Sequence, residues 1–398
     1  MKKLFIISIL AIIGLRVNAQ WQRAGLDSAW VEALTINGNN IFAATNYGMF
    51  LSSNNGVLWT SINTGLKNNG YGGYGTISLA IKGDTLFTGT QNNGDVFISL
   101  NNGQLWDSVN TGLPVNCYVY ALCIKGDTIF AGIADACDSI VYMSSNFGGQ
   151  WTAEKTGFTS TDNSTTTFVT NGNNIFAGTD EGVCFSSNNG SIWTAVNNGL
   201  TGVDLFINTL AISGSNILAA TCGGVFISSN NGNNWAATNL TDNYINAFAT
   251  KGDSIYAGGK NGVFFSKDSG STWSTWNIWP YGKILALTIK SDTLFAGTVG
   301  GVWEIPLSQI TSIEELNNNE GNIEVYPNPA TDEIKVISNQ CSVSSVEVYN
   351  LLGERLCNLP ITGNCSPITI NVSDFPSGVY VVEVKTEKGV SVKKFIKE

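Results

Sequence analysis

The sequence contains no histidine among its 398 residues. Ser-His-Asp and Cys-His catalysis are excluded, and so is any metal site built on imidazole. The eight cysteines include no Cys-x-x-Cys pair. Positive charge is sparse, with 20 Lys and Arg against 30 Asp and Glu. No apolar run reaches the ~20 residues a bilayer span requires. No helical periodicity appears between the glycines, which excludes a solenoid of helical pairs. Strings of the Gly-x-Gly-x-x-Gly type occur, as they must with 44 glycines. None is followed by a helix, so none signals a phosphate loop. No metal and no cofactor is expected.

The first segment, MKKLFIISILAIIGLRVNA, sets two lysines before the apolar run Leu4–Leu15 and ends on Val17-Asn18-Ala19. It reads as a secretory signal peptide over residues 1–19. Its removal takes Lys2, Lys3 and Arg16 and no acid, leaving 17 basic and 30 acidic residues, a net charge of −13. Such a chain repels nucleic acid and anionic lipid, and no basic patch offsets this. Export into an oxidising compartment permits disulfides. Cys117 and Cys137 fall in loops of one repeat and can pair. Cys341, Cys357 and Cys365 can form at most one pair, and the connectivity stays open. Cys123 stands where other repeats have Ala80 or Ala211, and Cys184 where they have Phe226 or Phe264. Both read as buried filler.

What the chain does have is repetition. SKDSGSTW (Ser266–Trp273) is preceded by five weaker copies: SSNNGVLW from Ser52, SLNNGQLW from Ser99, SSNFGGQW from Ser144, SSNNGSIW from Ser186 and SSNNGNNW from Ser228. A second phrase recurs seven times, as NGNNIFAAT from Asn37, KGDTLFTGT from Lys82, KGDTIFAGI from Lys125, NGNNIFAGT from Asn171, SGSNILAAT from Ser213, KGDSIYAGG from Lys251 and KSDTLFAGT from Lys290. Each follows a short apolar run, so run, Gly-Asx pair and second run predict a β-hairpin. A third strand leads into the Ser-x-Asx-x-Gly turn, and a fourth starts at the Trp and ends near Gly-Leu, as from Trp193 to Leu200. Four short strands per ~40 residues predict a propeller blade. The seventh copy supplies only three strands. Trp21–Leu26 matches the missing fourth, so the N-terminus is expected to complete the last blade of a closed, seven-bladed all-β propeller over residues 20–307.

The six turns closely resemble the Asp-box, or BNR, repeat of sialidases, sortilin-type receptors and related propellers. In that family the box lies between the third and fourth strands, away from the ligand face. The residues support a structural role. The Asx side chain caps local amides, Gly takes a positive φ and Trp packs between layers. Five Asx positions are Asn54, Asn101, Asn146, Asn188 and Asn230, and only Asp268 is acidic. Neither catalysis nor calcium binding survives that substitution.

After a polar, acidic linker at 308–321, alternating Val, Ile and Tyr runs separated by turns predict a small β-sandwich over 322–398. This stretch resembles the C-terminal sorting domain of Bacteroidetes proteins exported by the type IX secretion system. The matching elements are Tyr326-Pro327-Asn328-Pro329, Tyr349-Asn350-Leu351-Leu352-Gly353, Phe375-Pro376-Ser377-Gly378-Val379-Tyr380 and the basic end Lys393–Lys397. The resemblance implies an Ig-like fold, the type IX machinery as a partner, and release or attachment at the cell surface. It is silent on the cargo's activity.

On the cargo, the face opposite the boxes is expected to carry two sets of loops. The inter-blade loops hold Trp30, Tyr71, Tyr74, Tyr118, Phe206, Tyr244, Trp279 and Tyr281. The second-to-third-strand loops hold Asp95, Asp135, Asp138, Asp180, Glu181 and Lys260. Aromatic faces with acids and amides around them suit neutral sugars or peptides. The expected function is therefore a secreted or surface module that binds glycans or proteins. A polysaccharide hydrolase is the alternative, needing two carboxylates ~5–10 Å apart, drawn from Asp135 or Asp138 with Asp180 or Glu181. An assembly or scaffold factor is the third reading. A sialidase is disfavoured, because that family holds its substrate with three arginines and the propeller here has only Arg23. Asp-box endoglucanases pair two seven-bladed propellers, and this chain has one.

Overall fold

The computed structural model describes residues 21–398 except 69–72, 92–93, 135–139, 159–163, 243, 277–281, 312–322, 339–342, 351–354, 362–366 and 387–388. The chain divides into two compact units, Trp21–Pro306 and one that contains Leu307–Glu398.

The first unit is all-β and propeller-like. Its described residues form seven four-stranded antiparallel sheets. Their first strands are Val31–Asn37, Thr76–Lys82, Tyr118–Lys125, Thr165–Asn171, Ile207–Ser213, Ile245–Lys251 and Ile284–Lys290, and we number the sheets one to seven in that order. Sheet one continues with Asn40–Thr45, Gly48–Ser52 and Thr60–Ser61. Sheet seven takes its outer strand from Gln22–Arg23, which pairs with Gly301–Pro306. Each first strand packs against the first strands of the sheets before and after it, and that of sheet seven packs against that of sheet one.

Burial falls off across each sheet, and composition follows it. The second strand lies between two neighbours and is buried on both faces, so it reads as a near-continuous apolar run, as in Asn174–Thr179. Its later residues are small because the next sheet comes close. A Cβ on Gly178 would sit 2.6 Å from Ile207 of sheet five, and one on Gly297 2.7 Å from Val31 of sheet one. Large side chains fill the space elsewhere. Phe176 is fully buried, which stabilises the fold by roughly 2–3 kcal/mol.

Sheet-to-sheet ties recur at the hairpin end. The last residue of a first strand donates to a carbonyl in the next sheet's hairpin turn: Asn37 to Gly83 at 2.8 Å, Lys82 to Gly126 at 2.7 Å, Ser213 to Gly252 at 3.2 Å and Lys251 to Ser291 at 2.7 Å. Lys125 reaches the Asn173 carbonyl, and Lys290 reaches that of Asn39, joining sheet seven to sheet one. Most of these contacts are exposed and individually weak, and they recur from sheet to sheet.

The second unit contains a three-stranded sheet (Ile323–Tyr326, Glu333–Ser338, Ile368–Asn371) and a four-stranded one (Arg355–Pro360, Val343–Asn350, Gly378–Thr386, Gly389–Lys397). Val336, Val346, Val348, Val382 and Phe395 are among its core. Glu347 is covered by the side chains of Tyr349, Arg355 and Lys385. The Tyr349 hydroxyl and the Lys385 ammonium, both donating to it, hold its carboxyl below the usual range against the opposing effect of burial.

Candidate functional site

Strand register places the two ends of each sheet. In sheet one Ser52 pairs with Ile41, so the Ser-x-Asn-x-Gly turn that follows lies at the hairpin end. Val31 pairs with Thr45, so the start of the first strand lies at the other end, beside the second-to-third-strand connection. We call these the turn end and the loop end.

The six turns are alike in detail. The Ser Oγ accepts the N–H of the Gly four residues on at 2.9 Å in every copy, from Gly56→Ser52 to Gly270→Ser266. The same hydroxyl donates to the Asx Oδ1, as Ser228 does to Asn230 at 3.0 Å. That Oδ1 also accepts a backbone N–H four residues on, Ile192→Asn188 at 3.0 Å being one case. The residue after the Asx is left-handed even where it is Phe147, at φ 57°. In four copies the Trp donates its Nε1 to the preceding sheet, Trp106 to Ile62 O and Trp235 to Val196 O both at 2.7 Å, while Trp273 donates within its own turn, to Gly270 O at 3.0 Å. Asn54, Asn101, Asn146, Asn188, Asn230 and Asp268 are thus all engaged with their own turns. Asp268 differs in accepting the Thr272 hydroxyl at 2.6 Å as well. An open cleft of about 350 Å³ lies at this end, between the turns of sheets five and six. Its polar groups serve those turns, since Asn230 Oδ1 takes Asn234 N and Asn216 Nδ2 donates to Ser269 O.

The loop end repeats a scaffold while varying what it carries. The residue after the second strand donates its N–H to a carbonyl of the connection that enters the first strand: Asn46 to Trp30 at 3.2 Å, Gln91 to Gly75 at 2.9 Å, Cys222 to Phe206 at 3.2 Å and Lys260 to Tyr244 at 3.3 Å. Three sheets thus bring an exposed aromatic (Trp30, Phe206, Tyr244) beside a polar or thiol side chain. Around Tyr244 the cluster is fullest. The Lys260 ammonium stands 4.9 Å over its ring, and Asp242 accepts its N–H at 2.9 Å and the Asn261 amide at 2.7 Å. Tyr74 is half-buried, next to Gly75. Tyr118 is half-buried and stacks on the exposed Tyr120, ring centroids 5.5 Å apart. Tyr71, Trp279 and Tyr281 lie outside the described residues.

Of the four carboxylates, Asp135 and Asp138 also lie outside the described residues. Asp180 is half-buried and accepts the Ser164 N–H at 3.2 Å. Glu181 is exposed, and its carbonyl takes the Asn197 amide at 2.9 Å. Asp95 accepts the Asn110 amide, and burial raises its carboxyl more than Lys67 lowers it. Cys117 is disulfide-bonded, while Cys137 is outside the described residues. Cys357 and the exposed Cys222 are free thiols, and the buried Cys184 is in no disulfide. Cys123 is half-buried rather than buried, and burial pushes its thiol up to about 12. No three metal-ligating side chains come together among the described residues.

Sequence reading predicted the first strands but missed the bulges in them. Each carries a β-bulge at its loop end, so one residue per sheet drops out of the ladder; in sheet one it is Glu32, in sheet three Tyr120. Glu32 is half-buried, and burial raises its carboxyl more than Lys283 lowers it. The available signal was a lone Glu in a strand that carries no acid in the other repeats.

Comparison with known proteins fits this architecture. Residues 324–398 match the secretion system C-terminal sorting domain, and residues 120–245 match the DUF6242 β-propeller domain. No curated protein matches the chain. Among solved structures it is similar to PorZ, described as a bacterial surface component of the type IX secretion system of Porphyromonas gingivalis (15% identity, 92% of this chain and 59% of that one, TM-score 0.51). It is similar to the extracellular domain of BT4673 from B. thetaiotaomicron, described as a putative one component system (15%, 95% and 52%, TM-score 0.59). It also resembles YCF48 from Cyanidioschyzon merolae (15%, 73% and 99%, TM-score 0.55), a protein also solved bound to D1 peptide. The chain spans between half and three fifths of the first two. At these identities the likeness shows the fold. The tail at 324–398 is a type IX sorting signal, which directs the chain to secretion or to the outer-membrane surface.

Proposed function

We propose that Trp21–Pro306 is a seven-bladed Asp-box propeller, completed by its N-terminal strand, and that it works as a binding module after export. Residues 1–19 act as the signal peptide, 308–321 as linker and 322–398 as an Ig-like sorting domain. Binding takes place at the loop end and engages glycans or surface proteins. The observation that carries this reading is the repeated scaffold there, in which three connections hold an exposed aromatic against a polar or thiol neighbour while the turn end spends its polar groups on itself. Exposed rings with adjacent hydrogen-bonding groups are the usual means of holding sugars and peptides. A hydrolase is less well supported, because the two described candidates are adjacent in sequence and Asp180 already accepts a backbone N–H.

The test is reducing-end release from neutral and acidic polysaccharides by the purified exported chain, followed by the same preparation on a glycan array. No release is expected, with array or cell-surface binding that weakens in Tyr244→Ala and Phe206→Ala. Release above a blank, abolished by Asp135→Asn or Asp180→Asn, would make the protein a hydrolase. Binding indifferent to both aromatic substitutions would remove the loop end from consideration.

A further inference from the structure

The seven bulges set one unladdered residue per sheet at the loop end of the first strands, and the identities divide into two arcs. Sheets seven, one, two and three contribute Leu285, Glu32, Ile77 and Tyr120. Sheets four, five and six contribute Thr166, Asn208 and Asn246. A bulge removes a residue from the ladder and re-aims its side chain, and bulges are over-represented beside functional sites. In the second arc two of the three polar groups are already in use. Thr166 Oγ1 donates to Ile207 O at 2.7 Å and Asn246 Nδ2 to Ile284 O at 2.9 Å, each tying one sheet to the next.

The first arc is different. The Glu32 carboxylate has an aliphatic residue on the sheet to either side, and the exposed Tyr120 stands one sheet further on, its ring backed by Tyr118. The Glu32 carboxylate takes part in no hydrogen bond or contact ion pair among the described residues, and Lys283 acts on it only from longer range. A half-buried carboxylate without a donor is poorly solvated and favours a cation that brings several N–H groups. Aliphatic flanks suit a methylene stem, and an aromatic face suits a planar cation.

We propose that Leu285, Glu32, Ile77 and Tyr120 form a subsite for an arginine side chain carried by a polypeptide ligand. The guanidinium forks onto the Glu32 carboxylate and lies against the Tyr120 ring, while its stem covers Ile77 and Leu285. Lysine supplies charge without the fork or the plane and fits less well. This inference rests on the loop-end binding reading and names one ligand chemistry within it.

The experiment is saturation-transfer NMR on the full exported chain with the peptide acetyl-Gly-Gly-Arg-Gly-Gly-amide and its lysine and citrulline counterparts. Transfer to the arginine Cδ protons is expected, with the lysine peptide weaker and the citrulline peptide silent. Glu32→Gln and Tyr120→Ala should each weaken binding about tenfold, the scale of one charge-assisted or stacking contact. Asp107→Asn makes the same charge change on an exposed carboxylate of an outer strand, away from the loop end, and should leave binding within about twofold. Circular dichroism melting confirms that each variant is folded. Absence of transfer, equal transfer to citrulline, or equal loss in Glu32→Gln and Asp107→Asn would overturn the subsite. If glycan or surface capture still depends on Tyr244 in those cases, the loop-end reading survives and only the arginine subsite falls.

Discussion

The two ends of the Trp21–Pro306 unit are made from the same strands, and they differ in where their polar groups are directed. At the turn end the Ser, Asx and Gly of each copy bond to one another, and most of the Trp indoles bond to the sheet before. Among the described residues the Ser, Asx and Gly groups of these turns are spent on one another, and the copies are nearly interchangeable. At the loop end a backbone contact recurs in four sheets and a Thr hydroxyl closes the second-to-third-strand turn in four, but the side chains carried on the backbone contact vary: Asn46 with Trp30, Gln91 with Gly75, Cys222 with Phe206 and Lys260 with Tyr244. Repetition marks what every sheet needs in order to pack. Variation on an identical backbone marks what the fold leaves free for recognition.

The sharpest break of that contrast is at the Gly before each sheet-closing Leu. A Cβ on Gly199 would meet the Trp235 carbonyl oxygen at 2.2 Å, and its φ is 101°. Gly199→Ala should therefore cost about 3 kcal/mol or more. Gly214→Ala, at φ 57° with nothing within 4 Å, should cost only about 1 kcal/mol. Urea denaturation compares the two, and equal midpoints would refute the packing account. Next in size is Ser228→Ala, which leaves the buried Gly232 N–H without its acceptor and should cost about 1–3 kcal/mol. The same substitution at half-buried Ser164, a loop-end residue whose backbone N–H makes the bond to Asp180, should cost less by the same measurement.

The tryptophans give a finer test. Trp106 donates to Ile62 O, whereas the buried Nε1 of Trp193 has no hydrogen-bond partner among the described residues. Both are about equally buried, so the lost ring area is matched in Trp106→Phe and Trp193→Phe. The first should be the more destabilising by about 1 kcal/mol, the net worth of one hydrogen bond. A reversed order would mean that the indole donors are incidental to the turn end.

Glu32 should behave in the opposite sense. Its folded carboxyl is raised, so the fold binds that proton more tightly than the unfolded chain does, and ionisation destabilises the fold as pH rises through the folded value. Glu32→Gln removes the penalty. It should raise the denaturation midpoint at pH 7 and change it less at pH 4, where the native group is protonated. A stabilising substitution at the loop end beside destabilising ones at the turn end is what a residue retained for binding predicts.

The repeats were legible because a turn that bonds to itself requires particular residues at fixed offsets, and Ser, Asx, Gly and Trp recur there. The hairpins were legible from their Gly-Asx pairs for the same reason. The candidate site was only half legible. Trp30, Phe206 and Tyr244 could be read as exposed loop aromatics from sequence alone. Glu32 and Tyr120 could not, because a bulge shifts register by one residue and a strand's alternation does not announce it. Asp180 reads as a free acid in sequence, yet its carboxylate is taken by the Ser164 N–H, a contact 16 residues away that no local pattern encodes.

The smallest effect lies within the turn end itself, at the one acidic copy. Burial raises the Asp268 carboxyl, but the hydrogen bonds from Thr272, Ser266 and its own backbone outweigh this and hold it below the ordinary carboxylate value. A depressed carboxyl contributes stability above its unfolded pKa and loses it as pH falls through the folded one. The native chain should lose a little stability on acidification that Asp268→Asn does not. The group is exposed, so solvent screens the difference and it is expected to be slight. Denaturation midpoints of both chains between pH 6 and pH 3 measure it. A larger acid sensitivity in Asp268→Asn than in the native chain would mean that the carboxylate is no better accommodated than the five asparagines. If the midpoints instead part as predicted, the charge is a local refinement of a turn whose neutral version already suffices in five copies.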